Sequence, residues 1–138
     1  MQVPVGAWHG NGRKAGWYSP FLLACWDPER EEFQSVCRVM SGFSDLFYKA
    51  TKERYEEGRI LPRKLSYVHT SETPDVWFAP TDVWEIRGAD LTLSPVHKAA
   101  VGKLHEDRGC SLRFPRFIKV PTCCFAAAIT LQMLGYFL

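Results

Sequence analysis

The distribution of apolar and polar side chains marks three strands in the first forty residues. Residues 3–9 and 21–26 are rich in Val, Leu and aromatic side chains, types that fit a half-buried pleated surface. The stretch between them, 10–16, is punctuated by Gly10, Gly12 and Gly16 and carries Arg13 and Lys14, so the two runs read as a hairpin with a long basic loop. A turn at Asp27-Pro28-Glu29 leads to a third strand over 32–40, where Phe33, Ser35, Cys37 and Val39 alternate with Gln34, Val36 and Arg38. Ser41-Gly42 ends it. From 44 to 57 the period changes: Ser44 is placed to cap, Asp45 suits a first turn, Leu46, Phe47 and Ala50 give apolar spacing, and Gly58 follows. That pattern predicts one helix.

Residues 59–80 contain Pro62, Pro74 and Pro80 and show no clear period. They predict a long irregular connection pinned to the core by Trp77 and Phe78. Two more strands are expected over 83–93 and 111–120, joined by a loop with one short helical turn. Strand, strand, strand, helix, strand, strand is the order of the five-stranded Greek-key barrel that binds oligonucleotides and oligosaccharides. The expected fold is therefore all-β with one helix. A chain of 138 residues has room for one domain with a modest core, to which five Trp and nine Phe give bulk.

The net charge of +2 says little about partners; its placement says more. Asp27 to Glu32 holds four acids against Arg30, whereas Arg13-Lys14 is basic and Arg108, Arg113, Arg116 and Lys119 follow one another with no acid between. Such a run suits a phosphate-facing surface, the alternative being an ordinary edge strand whose charges block aggregation. In an extended segment Arg113 and Phe114 point to opposite faces, and alternation alone leaves open whether Phe114 or Phe117 is the buried ring. The loop at 10–16 superficially matches a nucleotide fingerprint, but those motifs need a helix to follow, and 21–26 reads as strand. It remains a flexible basic loop able to approach a phosphodiester, or a solvated hairpin tip with two incidental charges.

Other chemistry is sparse. Five cysteines without C-x-x-C spacing favour reduced thiols in an intracellular protein. His9, His69, His97 and His105 are too scattered to suggest a metal site and are expected at the surface or in loops. Trp84 to Arg87 reads as a structural strand with Glu85 and Arg87 on one face, able to pair, and Trp84 and Ile86 on the other. No secretory signal opens the chain, and no Ser-His-Asp, Cys-His or paired-carboxylate arrangement stands out. After Lys119 there is no charge, and 123–138 is apolar except for Thr130, Gln132 and Gly135. These sixteen residues fall short of the roughly 20 of a membrane span, so no stable membrane association is expected.

Five segments together carry a resemblance: GAWHGNGRKAGWY from Gly6, SGFSD from Ser41, PDVWF from Pro74, VWEIRGADLTLSP from Val83 and GCSLRFPRFIKV from Gly109. In order and spacing the chain closely resembles the C-terminal oligonucleotide-binding-fold (OB-fold) domain of ATP-dependent DNA ligases of the eukaryotic DNA ligase I type. The resemblance implies an OB-fold domain over 1–120 and an apolar tail at 121–138 that the family lacks. It implies that Arg13 and Lys14 contact the DNA backbone near a nick, and that Phe114 packs into the minor groove beside it. Arg113, Arg116 and Lys119 fall in the last nucleotidyltransferase motif, which in the family orients the pyrophosphate of ATP during adenylylation before the domain swings round to clasp DNA.

Two departures stand out. Asn11 replaces a residue that is commonly basic, and Pro121-Thr122-Cys123-Cys124 stands where the family has a charged Arg-x-Asp-Lys element. An alternative exon, a retained intron or a misplaced gene end would account for the tail. Lys-x-Asp-Gly, the family's AMP-accepting motif, occurs nowhere, so no catalytic residue is expected in this chain and it should be inactive alone. ATP and Mg2+ are implied for the full-length enzyme, with none bound by this chain alone. Implied partners are nicked duplex DNA and the adenylylation domain of the same ligase. The implied location is nuclear, in replication, repair and recombination. Two other readings stay open: a stand-alone single-strand binder that stacks bases on aromatic side chains, and an inactive truncated product.

Overall fold

The first three strands form close to where the sequence places them, with β2 starting three residues earlier than expected. In the computed structural model, which describes residues 1–121, β1 (Val3–His9), β2 (Tyr18–Asp27) and β3 (Glu32–Val39) make an antiparallel meander. Both faces of β2 are covered. Phe21 and Leu23 join Ala7, Val39, Tyr48, Phe78, Trp84 and Phe117 in one core, while Leu22 and Ala24 pack with Val3, Val5, Phe33 and Val68 in a second. A strand buried on both sides needs apolar residues at successive positions, which accounts for the Phe-Leu-Leu-Ala run.

The helix also forms as expected. In α1 (Asp45–Glu56) the Ser44 hydroxyl accepts from the Phe47 amide at 3.1 Å, a capping bond. Gly58, at φ +97°, ends it in the left-handed region. The helix buries Tyr48, Thr51 and Tyr55, and Tyr55 stacks on Phe78 with centroids 3.8 Å apart. Arg54 holds its outer side through bonds of 2.8 and 2.6 Å to Asp82.

Between 59 and 80 the chain is less irregular than predicted. β4 (Ile60–Leu61), β5 (Val68–His69) and β6 (Val76–Phe78) add to the meander, giving a curled six-stranded sheet of order β4-β6-β1-β2-β3-β5. Strands of two or three residues are too short to show a period. Phe78 is in the core as expected, and Trp77 packs against the second cluster.

The two strands expected over 83–93 and 111–120 each break in two. β7 (Glu85–Arg87) pairs with β10 (Arg116–Lys119), and β8 (Asp90–Ser94) pairs with β9 (Gly109–Arg113). The breaks lie opposite one another, where the Ala89 amide donates to the Arg113 carbonyl at 2.9 Å. The segment between β8 and β9 makes a turn at 100–103, not a helical turn. Bridges from Gln2 to Trp84 and from Ala99 to Cys110 tie these ribbons to the large sheet, and the Ala99 amide also donates to Ser35. A mostly β domain with one helix and a curled sheet is consistent with an OB-fold. Beyond Pro121, the expected apolar tail lies outside the described residues.

Candidate nucleic-acid interface

The two phenylalanines of the 113–117 run have opposite fates. Phe117 is 8% exposed and sits among Phe43, Phe47 and Trp84, with centroids at 4.7, 4.6 and 5.4 Å. Phe114 is 73% exposed and has φ +52°, a conformation that a bulky L-residue rarely adopts. It occupies the break between β9 and β10, so strand alternation does not apply to it. The expectation that Arg113 and Phe114 face apart is overturned: the Arg113 guanidinium lies over the Phe114 ring, 5.1 Å from its centroid, in reach of a cation–π attraction.

The basic residues of this run are in different states. Lys119 lies 3.9 Å from Glu85, its register partner, so Glu85 pairs across the ribbon and not with Arg87 as the sequence suggested. Arg113 is drawn to Phe114. Arg116 is exposed, and its stem passes beside Gly42. That glycine has φ +95°, and a Cβ there would run into the Phe117 carbonyl oxygen. The close approach is fixed by the Phe117 amide, which donates to the Ser41 carbonyl at 2.9 Å.

The basic hairpin loop reaches the same turn. Residues Gly12–Lys14 form one turn of 3-10 helix. Lys14 is half-buried; its Nζ donates to the Met40 carbonyl at 3.2 Å and lies 5.0 Å from the Tyr48 ring. Trp17 stacks on Tyr48 at 5.6 Å, and Lys52 donates to the Gly16 carbonyl. Arg13 is exposed. Residues 40–42 therefore touch both basic segments, the loop through Met40 and the RFPRF run through Ser41 and Gly42. The distribution of charge alone did not reveal that junction, although the SGFSD motif lies in it.

Elsewhere the chemistry is structural. Ser35, His97 and Glu72 line up in the manner of a hydrolytic triad, with 3.1 Å from the serine hydroxyl to Nδ1 and 3.9 Å from Nε2 to the glutamate. Ser35 is fully buried and donates to Thr70 at 2.7 Å, out of reach of a substrate. His97, expected at the surface or in a loop, lies in a loop but is buried, and burial lowers its pKa despite the opposing pull of Glu72. Cys25, Cys37 and Cys110 are free thiols. Burial raises Cys25 and pushes Cys37 up to about 12, which keeps both unreactive at neutral pH. A cavity of about 500 Å3 lined by Arg30, Glu32, Lys64, His69 and Lys98 lies toward the opposite end of β3 from Met40. Among the described residues no helix is long and apolar enough to cross a membrane.

Known proteins match most of this chain. Residues 14–121 match the family described as the C-terminal region of ATP-dependent DNA ligases. DNA ligase 6 of Arabidopsis thaliana is 67% identical over 120 residues, which is 87% of this chain and 9% of that protein. DNA ligase 3 of Schizosaccharomyces pombe is 52% identical over 122 residues, 86% of this chain and 16% of that protein. DNA ligase 1 of Arabidopsis thaliana is 50% identical over 119 residues, 86% of this chain and 15% of that protein. The chain thus spans less than a fifth of the length of these three relatives. With a family match over most of its residues and an OB-like sheet beneath them, the chain belongs to the family of ATP-dependent DNA ligase C-terminal regions.

Proposed function

We propose that this domain clasps nicked duplex DNA as part of an ATP-dependent DNA ligase that seals nicks in replication, repair and recombination in the nucleus. The observation that carries the reading is Phe114, held in solvent at φ +52° between two strands with Arg113 over its ring. An exposed ring flanked by cations has the form of a minor-groove wedge, for which phosphate contacts offset the unstacking cost of a few kcal/mol per step. Arg13 extends the same surface, with Lys14 both adding charge and holding the loop against Met40. We read 1–120 as the DNA-facing domain and 121–138 as an added tail.

In the full enzyme, the phosphates of ATP would be met by Arg113, Arg116 and Lys119, whose exposed positive charge suits them. ATP supplies the adenylyl group that a lysine elsewhere in the enzyme accepts, with the adenylylation domain as the second partner. Among the described residues no three His, Cys, Asp or Glu side chains gather in a way that fits a metal. We assign the Mg2+ of the reaction to the full-length enzyme.

Binding of the chain to nicked, intact and single-stranded DNA across a salt series tests the reading, with Arg13→Ala/Lys14→Ala alongside. Tighter binding to duplex is expected, with a log–log salt slope that falls by up to about two in the variant. Preference for single strands would replace this reading with a stand-alone binder, and no binding to any of the three would sink it.

A further inference from the structure

β7 and β10 set Arg87 directly opposite Arg116. Paired positions of an antiparallel ribbon share a face and bring their side chains into contact range. The next such pair, Glu85 and Lys119, has opposite charges and closes to 3.9 Å. Arg87 and Arg116 are both exposed, and among the described residues neither has an ion-pair partner. Like charges set directly opposite destabilise a ribbon. Two arginines at opposed positions on one face can also offer their guanidinium donors to the oxygens of one phosphate group, a task for which arginine outperforms lysine. Arg116 follows Phe114 by two residues, and its stem packs beside Gly42.

We propose that Arg87 and Arg116 form a two-arginine clamp for a phosphate group, with Arg87 a binding residue in its own right. The inference rests on the proposed ligase reading only for the source of the phosphate. That source is either the polyphosphate of a nucleotide or the phosphodiester backbone of DNA.

The experiment uses the 138-residue chain and its Arg87→Gln, Arg87→Lys and Arg63→Gln variants. Thermal melts are recorded with inorganic tripolyphosphate and with NaCl at equal ionic strength. Tripolyphosphate is expected to raise the wild-type Tm, and Arg63→Gln, an exposed arginine elsewhere, is expected to respond like wild type. Arg87→Gln is expected to melt roughly 1–4 °C higher without the anion, through relief of repulsion, and to bind it roughly tenfold more weakly. Arg87→Lys keeps the charge and a partial response. In parallel, nicked-duplex binding across salt separates the sources. A slope reduced by about one in Arg87→Gln names the DNA backbone, and unchanged duplex binding with a lost tripolyphosphate response names the nucleotide polyphosphate. Wild-type behaviour of Arg87→Gln in both assays overturns the clamp. A salt slope unmoved by Arg13→Ala/Lys14→Ala would instead sink the DNA-clasp reading and leave the clamp standing.

Discussion

Phe114 costs the fold stability through a left-handed backbone, while its exposed ring returns little by burial. Phe114→Gly removes the strain together with the ring. The variant is expected to melt at or above the wild-type temperature while losing roughly tenfold or more in nicked-duplex affinity, the worth of burying a phenyl ring. A drop in both stability and affinity would make Phe114 a structural residue instead. His97 makes a second prediction at this scale. Its pKa is lowered in the folded chain, so the unfolded chain binds the additional proton first, and stability falls as pH drops below the ordinary histidine value of about 6.5. Glu72 opposes the shift and Arg38 reinforces it. Urea melts at pH 5 and pH 7 should show the loss, and His97→Gln should reduce it. Neither residue's state was legible in the sequence. Alternation assumes an unbroken strand, which one positive φ at 114 invalidates, and the burial of His97 depends on Ser35 and Glu72 being brought beside it from far along the chain.

Elements were legible where the signal was local. The meander followed from two β-type apolar runs and the alternation at 32–40, and α1 from Ser44 and Gly58 at its ends. Ser44→Ala is expected to cost about 1 kcal/mol, read by chemical denaturation, and an unchanged midpoint would remove the cap from the account. The short strands β4, β5 and β6 exist only because a distant edge accepts them, and the opposed breaks at 88–89 and 114–115 reflect pairing between segments about 25 residues apart. Register of that kind leaves no trace in composition, which is why Arg87 read as a partner of Glu85 and not as a neighbour of Arg116. Gly42 tests the junction of the two basic segments. Gly42→Ala adds an atom against the Phe117 carbonyl in a left-handed backbone and is expected to cost at least about 1–2 kcal/mol. It should also weaken duplex binding by displacing β10.

At the scale of the whole molecule, membership of the ligase C-terminal region family sets the expectation for activity. Lys-x-Asp-Gly is absent, so incubation with labelled ATP and Mg2+ should leave the chain without a covalent AMP adduct; an adduct would mean that another nucleophile acts here. The uncharged run at 123–138 predicts that removing residues 121–138 will sharply raise soluble yield, and an equal yield from both lengths would sink that expectation. Phe117 is clamped among three aromatic rings, and Phe114 stands three residues away from it in the chain. Three residues of extended backbone reach about 10 Å at most. On the proposed wedge reading the run acts as a depth stop: Phe114 can enter a duplex only as far as its tether to the core allows, and inserting or deleting one residue between the two rings would reset the penetration without touching either ring.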